Sequence, residues 1–277
     1  MKRFVSGLLA LLLLTGAAMA AENEQRTVED VYIENASMGR LYGELKCPGE
    51  GPCPLVILSH GFGGNHQGNN DYADYFLDRG FAAFNLDFCG GGWGSKSDGT
   101  MTEMSVLTEA KDLEAVIDHF RADPRFTGIY LWGASQGGFV SSYVAGKRPE
   151  DVKALVIEFP AYVLQDDARA KAAPDGSFPE TSRVLGAVIG RIYNEDAVSF
   201  DIYDVLPGYA GDVLILHGDR DAIVPLSYSQ RAAEAFPHAE LIVMKGQNHG
   251  FAGAARRNAM ELEAKFLLSH EQETKGE

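Results

Sequence analysis

The stretch Gly128-Ile129-Tyr130-Leu131-Trp132-Gly133-Ala134-Ser135-Gln136-Gly137-Gly138-Phe139-Val140 decides how this chain folds. Gly128 to Trp132 is a short apolar run of strand type, and Gln136 to Ala145, rich in small residues, reads as a helix. Between them Gly133-Ala134-Ser135-Gln136-Gly137 fits the pattern G-x-S-x-G. In a strand-turn-helix context the turn is so sharp that the serine takes a strained backbone and its hydroxyl stands clear of the sheet edge. The pattern alone is common by chance, and the flanking strand and helix give it meaning.

Outward from this turn the chain alternates between strand-like and helix-like segments. Val28 to Glu34 and Arg40 to Leu45 read as an opening hairpin. Strands follow at Leu55 to Ser59, Phe81 to Leu86, Val152 to Phe159, Val213 to Leu216 and Glu240 to Met244. Helices are expected at Asn70 to Asp78, along Leu107, Ala110, Leu113, Ile117 and Phe120, at Tyr228 to Phe236 and at Ala254 to Leu268. The tail from Ser269 is polar and expected to fray. Strands returned by helices pair in parallel. Their continuous apolar runs fit strands buried on both faces. The expected fold is α/β, a mostly parallel sheet covered by helices on both sides. From Pro160 to about Gly211 the rhythm breaks, with one helix-like piece carrying Val184, Leu185, Val188, Ile189 and Ile192. An insertion this long in a compact domain is usually functional, and its ends adjoin the strand ends that carry the chemistry. It holds Tyr162, Phe178, Tyr193, Phe200, Tyr203 and Tyr209, an aromatic supply suited to walling an apolar pocket.

A serine hydroxyl is a weak nucleophile and needs a base within hydrogen-bond reach. Among the downstream histidines, His249 sits in Gly246-Gln247-Asn248-His249-Gly250-Phe251, after the last strand and before the last helix. Parallel strands bring such a loop to the sheet edge that carries Ser135. His217, ending a strand, reads as structural, and His238 and His270 as solvated. An acid must hold the imidazole in one tautomer and stabilise its charged form. His217-Gly218-Asp219-Arg220-Asp221 offers two, of which Asp221, further round the turn, is favoured and Asp219 is expected to cap the turn. Attack also creates an oxyanion, which needs fixed donors. The backbone N–H of Gln136 is one candidate, and the N–H of Phe62 in Ser59-His60-Gly61-Phe62-Gly63-Gly64-Asn65 is the other. His60 reads as a structural hydrogen bonder.

These four segments, in this order, resemble the α/β-hydrolase superfamily over nearly all of the chain after residue 20. The resemblance implies an eight-stranded α/β-hydrolase fold with a cap over residues 160–211. It also implies a serine esterase mechanism with Ser135, Asp221 and His249 as catalytic residues, Phe62 and Gln136 as the oxyanion hole, a small-molecule ester substrate and no cofactor or metal. More narrowly, the His60-Gly61-Phe62 form, Gln136 after the serine, the long insertion, and Phe88-Cys89-Gly90-Gly91-Gly92 with Ser95 to Gly99 are similar to bacterial cinnamoyl and feruloyl esterases and related carboxylesterases. A serine peptidase on the same scaffold shares the triad, and a non-catalytic binding protein could keep the fold.

The chain has 277 residues and a formal charge of −15. So acidic a surface repels phosphate backbones and anionic lipid, which argues against nucleic-acid and membrane partners. Lys2 and Arg3, the apolar run Leu8 to Leu14 and Ala18-Met19-Ala20 read as a cleaved export signal, giving a secreted or periplasmic protein. Cys47 and Cys53 flank Pro48-Gly49-Glu50-Gly51-Pro52 and are expected to pair in an oxidising compartment, leaving Cys89 buried. An exported chain should begin at Ala21. Intact mass of protein recovered from the periplasm or medium checks this, and retention of Met1 would refute it.

Overall fold

The computed structural model describes residues 26–35 and 38–273, so the export signal read at residues 1–20 lies outside the described residues. A hairpin of β1 (Thr27–Asn35) and β2 (Gly39–Cys47) opens the fold. Then follow β3 (Cys53–Ser59), α1 (Asn70–Leu77), β4 (Ala82–Asp87), α2 (Val106–Phe120), β5 (Phe126–Ala134), α3 (Gln136–Lys147) and β6 (Ala154–Glu158). After the insertion come β9 (Asp212–Gly218), α7 (Leu226–Ala235), β10 (Ala239–Met244) and α8 (Gly253–Glu273).

These strands form one eight-stranded sheet in the order β1-β2-β4-β3-β5-β6-β9-β10. β2 pairs antiparallel with β1 and β4, and every pairing from β4 to β10 is parallel. The chain leaves β3 toward β4 and then crosses back to place β5 on the other side of β3. The carboxyl ends of β3 and β5 therefore flank the point where strand order reverses, where such sheets bind ligands. The loop carrying Phe62 and the turn carrying Ser135 leave from those two ends.

The sheet separates two apolar cores, as strands buried on both faces require. Leu55, Ile57, Phe84, Leu131, Leu155, Ile157 and Ile215 face α2 and α3. Val56, Leu58, Tyr130, Trp132, Val156 and Leu214 face α1 and α8. Ser105 starts α2 with a reciprocal capping box to Thr108.

The insertion differs from its expected single helix. It holds α4 (Leu164–Lys171), a hairpin of β7 (Thr181–Val184) and β8 (Ala187–Gly190), then α5 (Arg191–Val198) and α6 (Ile202–Val205). Leu185 and Gly186, at φ 46° and 89°, form a two-residue turn with left-handed backbone at both positions, the geometry that suits hairpins. The apolar spacing from Val184 to Ile192 fits either period, and Gly186 decides for the turn. Much of the insertion belongs to the main core. Tyr162, Leu164, Ala197, Ile202, Leu206 and Tyr209 are buried in the cluster that includes α2 and α3.

Two smaller expectations also change. From Ser269 to Glu273, where the described residues end, the tail continues α8, and His270 Nε2 lies 3.0 Å from Asp212 Oδ2. Cys47 and Cys53 are buried free thiols, carried by strands between which the sheet order places β4.

At the end of β6, Glu158 and Glu263 face each other in the core below the sheet edge. The Tyr72 hydroxyl donates to Glu158 at 2.8 Å. Burial raises the Glu158 carboxyl to about 7. Burial, together with the Glu158 charge, holds Glu263 well above the usual carboxylate range. Both acids thus bind protons in the folded state that the unfolded chain releases above its ordinary carboxylate pKa. The stability this gives is present at low pH and is lost as pH rises through about 7. Glu263→Gln should therefore raise the melting temperature at pH 8 by about 3 °C, roughly 1 kcal/mol at this size, and change it little at pH 5. Calorimetry at both pH values checks this, and an equal shift at each would refute it.

Candidate active site

Ser135 sits between β5 and α3 at φ 53° and ψ −117°, a conformation that costs free energy and must be held by its surroundings. Close approach of strand and helix holds it. A Cβ on Gly133 would lie 2.4 Å from the Gly137 carbonyl oxygen, and one on Gly137 would lie 2.3 Å from that of Ser59. The Ser135 N–H donates to the Glu158 carbonyl at 2.9 Å, and the Ser135 carbonyl accepts from Ala161 at 2.9 Å. The Ser135 turn is thus tied to the end of β6 and to the start of the insertion.

His249 meets this serine from the loop after β10. Its Nε2 is 2.9 Å from Ser135 Oγ, and its Nδ1 is 2.7 Å from Asp221 Oδ2. Asp221 lies in the loop after β9 with no solvent exposure of its side chain. Burial works to raise its pKa. Contacts from His217 and His249 and the N–H of Val224 outweigh that and hold the carboxyl well below the usual range. The N–H groups of Ile223 and Val224 donate to Oδ1 at 2.9 and 2.8 Å. Asp221 is therefore a charged carboxylate at neutral pH, as an acid that must stabilise an imidazolium requires. Asp219 points elsewhere: it accepts the Gly246 N–H and so pins the start of the His249 loop. The Arg220 N–H, donating to the Gln247 carbonyl at 2.9 Å, fastens the same two loops.

The loop after β3 lies directly on the serine, with the Gly61 Cα so close that a Cβ there would be 3.1 Å from Ser135 Cβ. Among the described residues, neither the Phe62 N–H nor the Gln136 N–H donates a hydrogen bond within the protein. His60 is structural. Its Nε2 accepts from the Phe88 N–H at 3.1 Å, so Nδ1 carries the proton and donates to the Gly61 carbonyl at 2.8 Å. Burial pushes its pKa down, which keeps that tautomer neutral. Further along, Asp87 at the end of β4 accepts from His66 Nδ1 at 2.9 Å and from the Lys96 N–H at 2.8 Å. The half-exposed ring of Trp93 covers Gly63 and flanks the loop.

All five residues singled out in the sequence thus gather at one edge of the sheet. Others could not be read from it. His217 is structural, as its place at a strand end implies, but its partners were not legible: Nε2 lies 2.9 Å from the Val224 carbonyl and 3.3 Å from Asp221 Oδ2, and Nδ1 contacts Ser229 Oγ at 2.7 Å. Its signal was the four-residue step to Asp221. Phe159, at φ 36°, sets its ring edge-on to His249 with centroids 4.7 Å apart. Phe251 supports it from behind at 5.1 Å. No sequence pattern marks Phe159.

This architecture has known counterparts. A family model described as serine aminopeptidase, S33 matches residues 50–202, and one described as TAP-like protein matches residues 203–277. The chain belongs to the serine aminopeptidase S33 family, within the α/β-hydrolase superfamily. The structure of Est1E from Butyrivibrio proteoclasticus with ferulic acid bound superposes with a TM-score of 0.78 at 26% identity, covering 87% of this chain and 98% of that one. The rat (Rattus norvegicus) mitochondrial palmitoyl-protein thioesterase ABHD10 is 26% identical over 72% of this chain and 70% of its own length. A monoacylglycerol lipase of Mycolicibacterium smegmatis is 27% identical over 75% and 74%.

The geometry predicts that Ser135 takes up a fluorophosphonate covalently and that Ser135→Ala abolishes labelling. Asp221→Asn should slow labelling far more than Asp219→Asn. Peptide mass mapping and labelling rates check this, and the opposite order would transfer the acid's role to Asp219.

Proposed function

We propose that the protein is a serine carboxylic ester hydrolase. Ser135 attacks the ester carbonyl, and His249 takes its proton and then passes it to the leaving alcohol. Asp221 holds the imidazole and stabilises its charged form. The N–H groups of Phe62 and Gln136 receive the oxyanion of the tetrahedral intermediate. Water activated by His249 then attacks the acyl-enzyme, releases the acid and returns the proton to Ser135. The observation that carries this reading is the continuous contact from Asp221 through His249 to Ser135, at 2.7 and 2.9 Å, beside two unengaged N–H groups. Relatives described as a thioesterase and a monoacylglycerol lipase support acyl transfer to water as the reaction class.

For the acyl group, the proposal is a feruloyl, cinnamoyl or comparably bulky aromatic acid. Est1E, the structural relative, holds ferulic acid. In this chain Phe62, Trp93 and Tyr193 bring aromatic surface near the oxyanion loop. The family description favours a second reading, an aminopeptidase that cleaves amides with the same residues. The export segment belongs to the same proposal: a secreted or periplasmic enzyme. No helix among the described residues is long and apolar enough to cross a membrane.

Turnover of methyl ferulate, p-nitrophenyl acetate and an aminoacyl p-nitroanilide separates these readings. The ester reading expects both esters to be cleaved, ferulate with the higher kcat/KM, and the anilide to be nearly inert. Ser135→Ala should lower kcat by a factor on the order of a million, because the three residues act as a unit. Faster anilide than ester turnover would establish the peptidase reading instead.

A further inference from the structure

The Gln136 side chain is buried and fully engaged. Its amide nitrogen donates to Glu109 Oε2 at 2.9 Å, and its carbonyl accepts the Tyr193 hydroxyl at 2.7 Å. Tyr193 belongs to α5 of the insertion and Glu109 to α2, so one glutamine joins the insertion to the main domain beside the nucleophile. The Tyr193 ring also lies edge-on to Phe62, with centroids 5.9 Å apart and planes at 77°. One buried side chain therefore touches both residues whose N–H groups face the proposed oxyanion.

The seat of Tyr193 is rigid. Its ring lies in a small apolar cluster with Met104 and Ile189. A Cβ on the neighbouring Gly190 would come within 1.9 Å of the Thr102 carbonyl oxygen, so the two backbones touch. The Ser105 hydroxyl, at the start of α2, donates to Asp196 of α5. Burial holds the Glu109 carboxyl well above the usual carboxylate range, against the opposing pull of its hydrogen bond from Gln136. Burial likewise keeps the Tyr193 hydroxyl protonated and able to donate.

We infer that Tyr193 is a positioning residue for the oxyanion hole, holding the Phe62 and Gln136 peptides at one spacing through its ring and its hydroxyl. The inference rests on the ester-hydrolase reading and deepens it: the insertion acts on the rate of the chemical step as well as on substrate choice. Donors help only where charge develops, and small misplacement is costly. Loss of the hydroxyl leaves the Gln136 carbonyl buried and unpartnered, and the side chain, with its peptide, shifts to find another donor.

The test is Tyr193→Phe, assayed with p-nitrophenyl acetate and with a trifluoromethyl ketone, whose serine adduct carries an oxyanion. The expected result is roughly a tenfold fall in kcat, KM within about twofold, and inhibitor affinity weakened by the same factor as kcat/KM. In a Gln136→Leu background, Tyr193→Phe should add nothing further. Phe62→Leu, at a half-buried position that does not threaten the fold, should give the same kcat-selective loss and serves if Tyr193→Phe does not fold. Unchanged kcat, a loss confined to KM, or inhibitor affinity that does not follow kcat/KM would each overturn the inference while leaving Ser135-dependent turnover intact. Absence of Ser135-dependent turnover in the unmodified enzyme would overturn the ester-hydrolase reading, and the inference with it.

Discussion

The strained turn at Ser135 is the constraint from which the rest of the site follows. A non-glycine residue at φ 53° persists only if its neighbours over-determine it. Here β5 and α3 approach until Gly133 and Gly137 have no room for a side chain. The serine's own N–H and carbonyl are spent on Glu158 and Ala161. With the backbone so committed, the hydroxyl can only point out of the sheet edge. The loops after β3, β9 and β10 then converge on it because the parallel strands all end there.

Around this turn, the surroundings shift chemically similar acids in opposite directions. Asp221 is buried yet stays ionised, because His217, His249 and backbone N–H groups face it. Glu109 is buried against the Gln136 amide, and burial holds its carboxyl well above the usual range. Glu158 and Glu263 share one apolar compartment and cannot both ionise without penalty. Environment thus moves similar carboxyl groups in opposite directions, with the ionised one set beside His249.

The insertion sits in both parts of the molecule. Tyr162 and Tyr209 complete the main core against α3 and β9, while Tyr193 reaches Gln136, the residue after Ser135. Its aromatic content therefore has two uses. Most of the rings are ordinary core, and Tyr193 alone hydrogen-bonds to Gln136.

Much of this was legible in the sequence because it depends on local order. Apolar runs of strand length, glycines flanking Ser135 and the chain order of Ser135, Asp221 and His249 determine a parallel sheet and the edge at which the site gathers. Those signals survive without coordinates, since each is a property of one short segment. Tertiary structure alone decided the partners. His217 joins Asp221, Phe159 lies on His249, and Tyr193 meets Gln136 across 57 residues. It also decided where the hairpin that turns at Gly186 comes to rest: its Gly190 backbone lies against Thr102, with no room for a side chain. A sequence records which residues can bond. Only the folded chain, by burying them together and excluding water, selects which bonds are made.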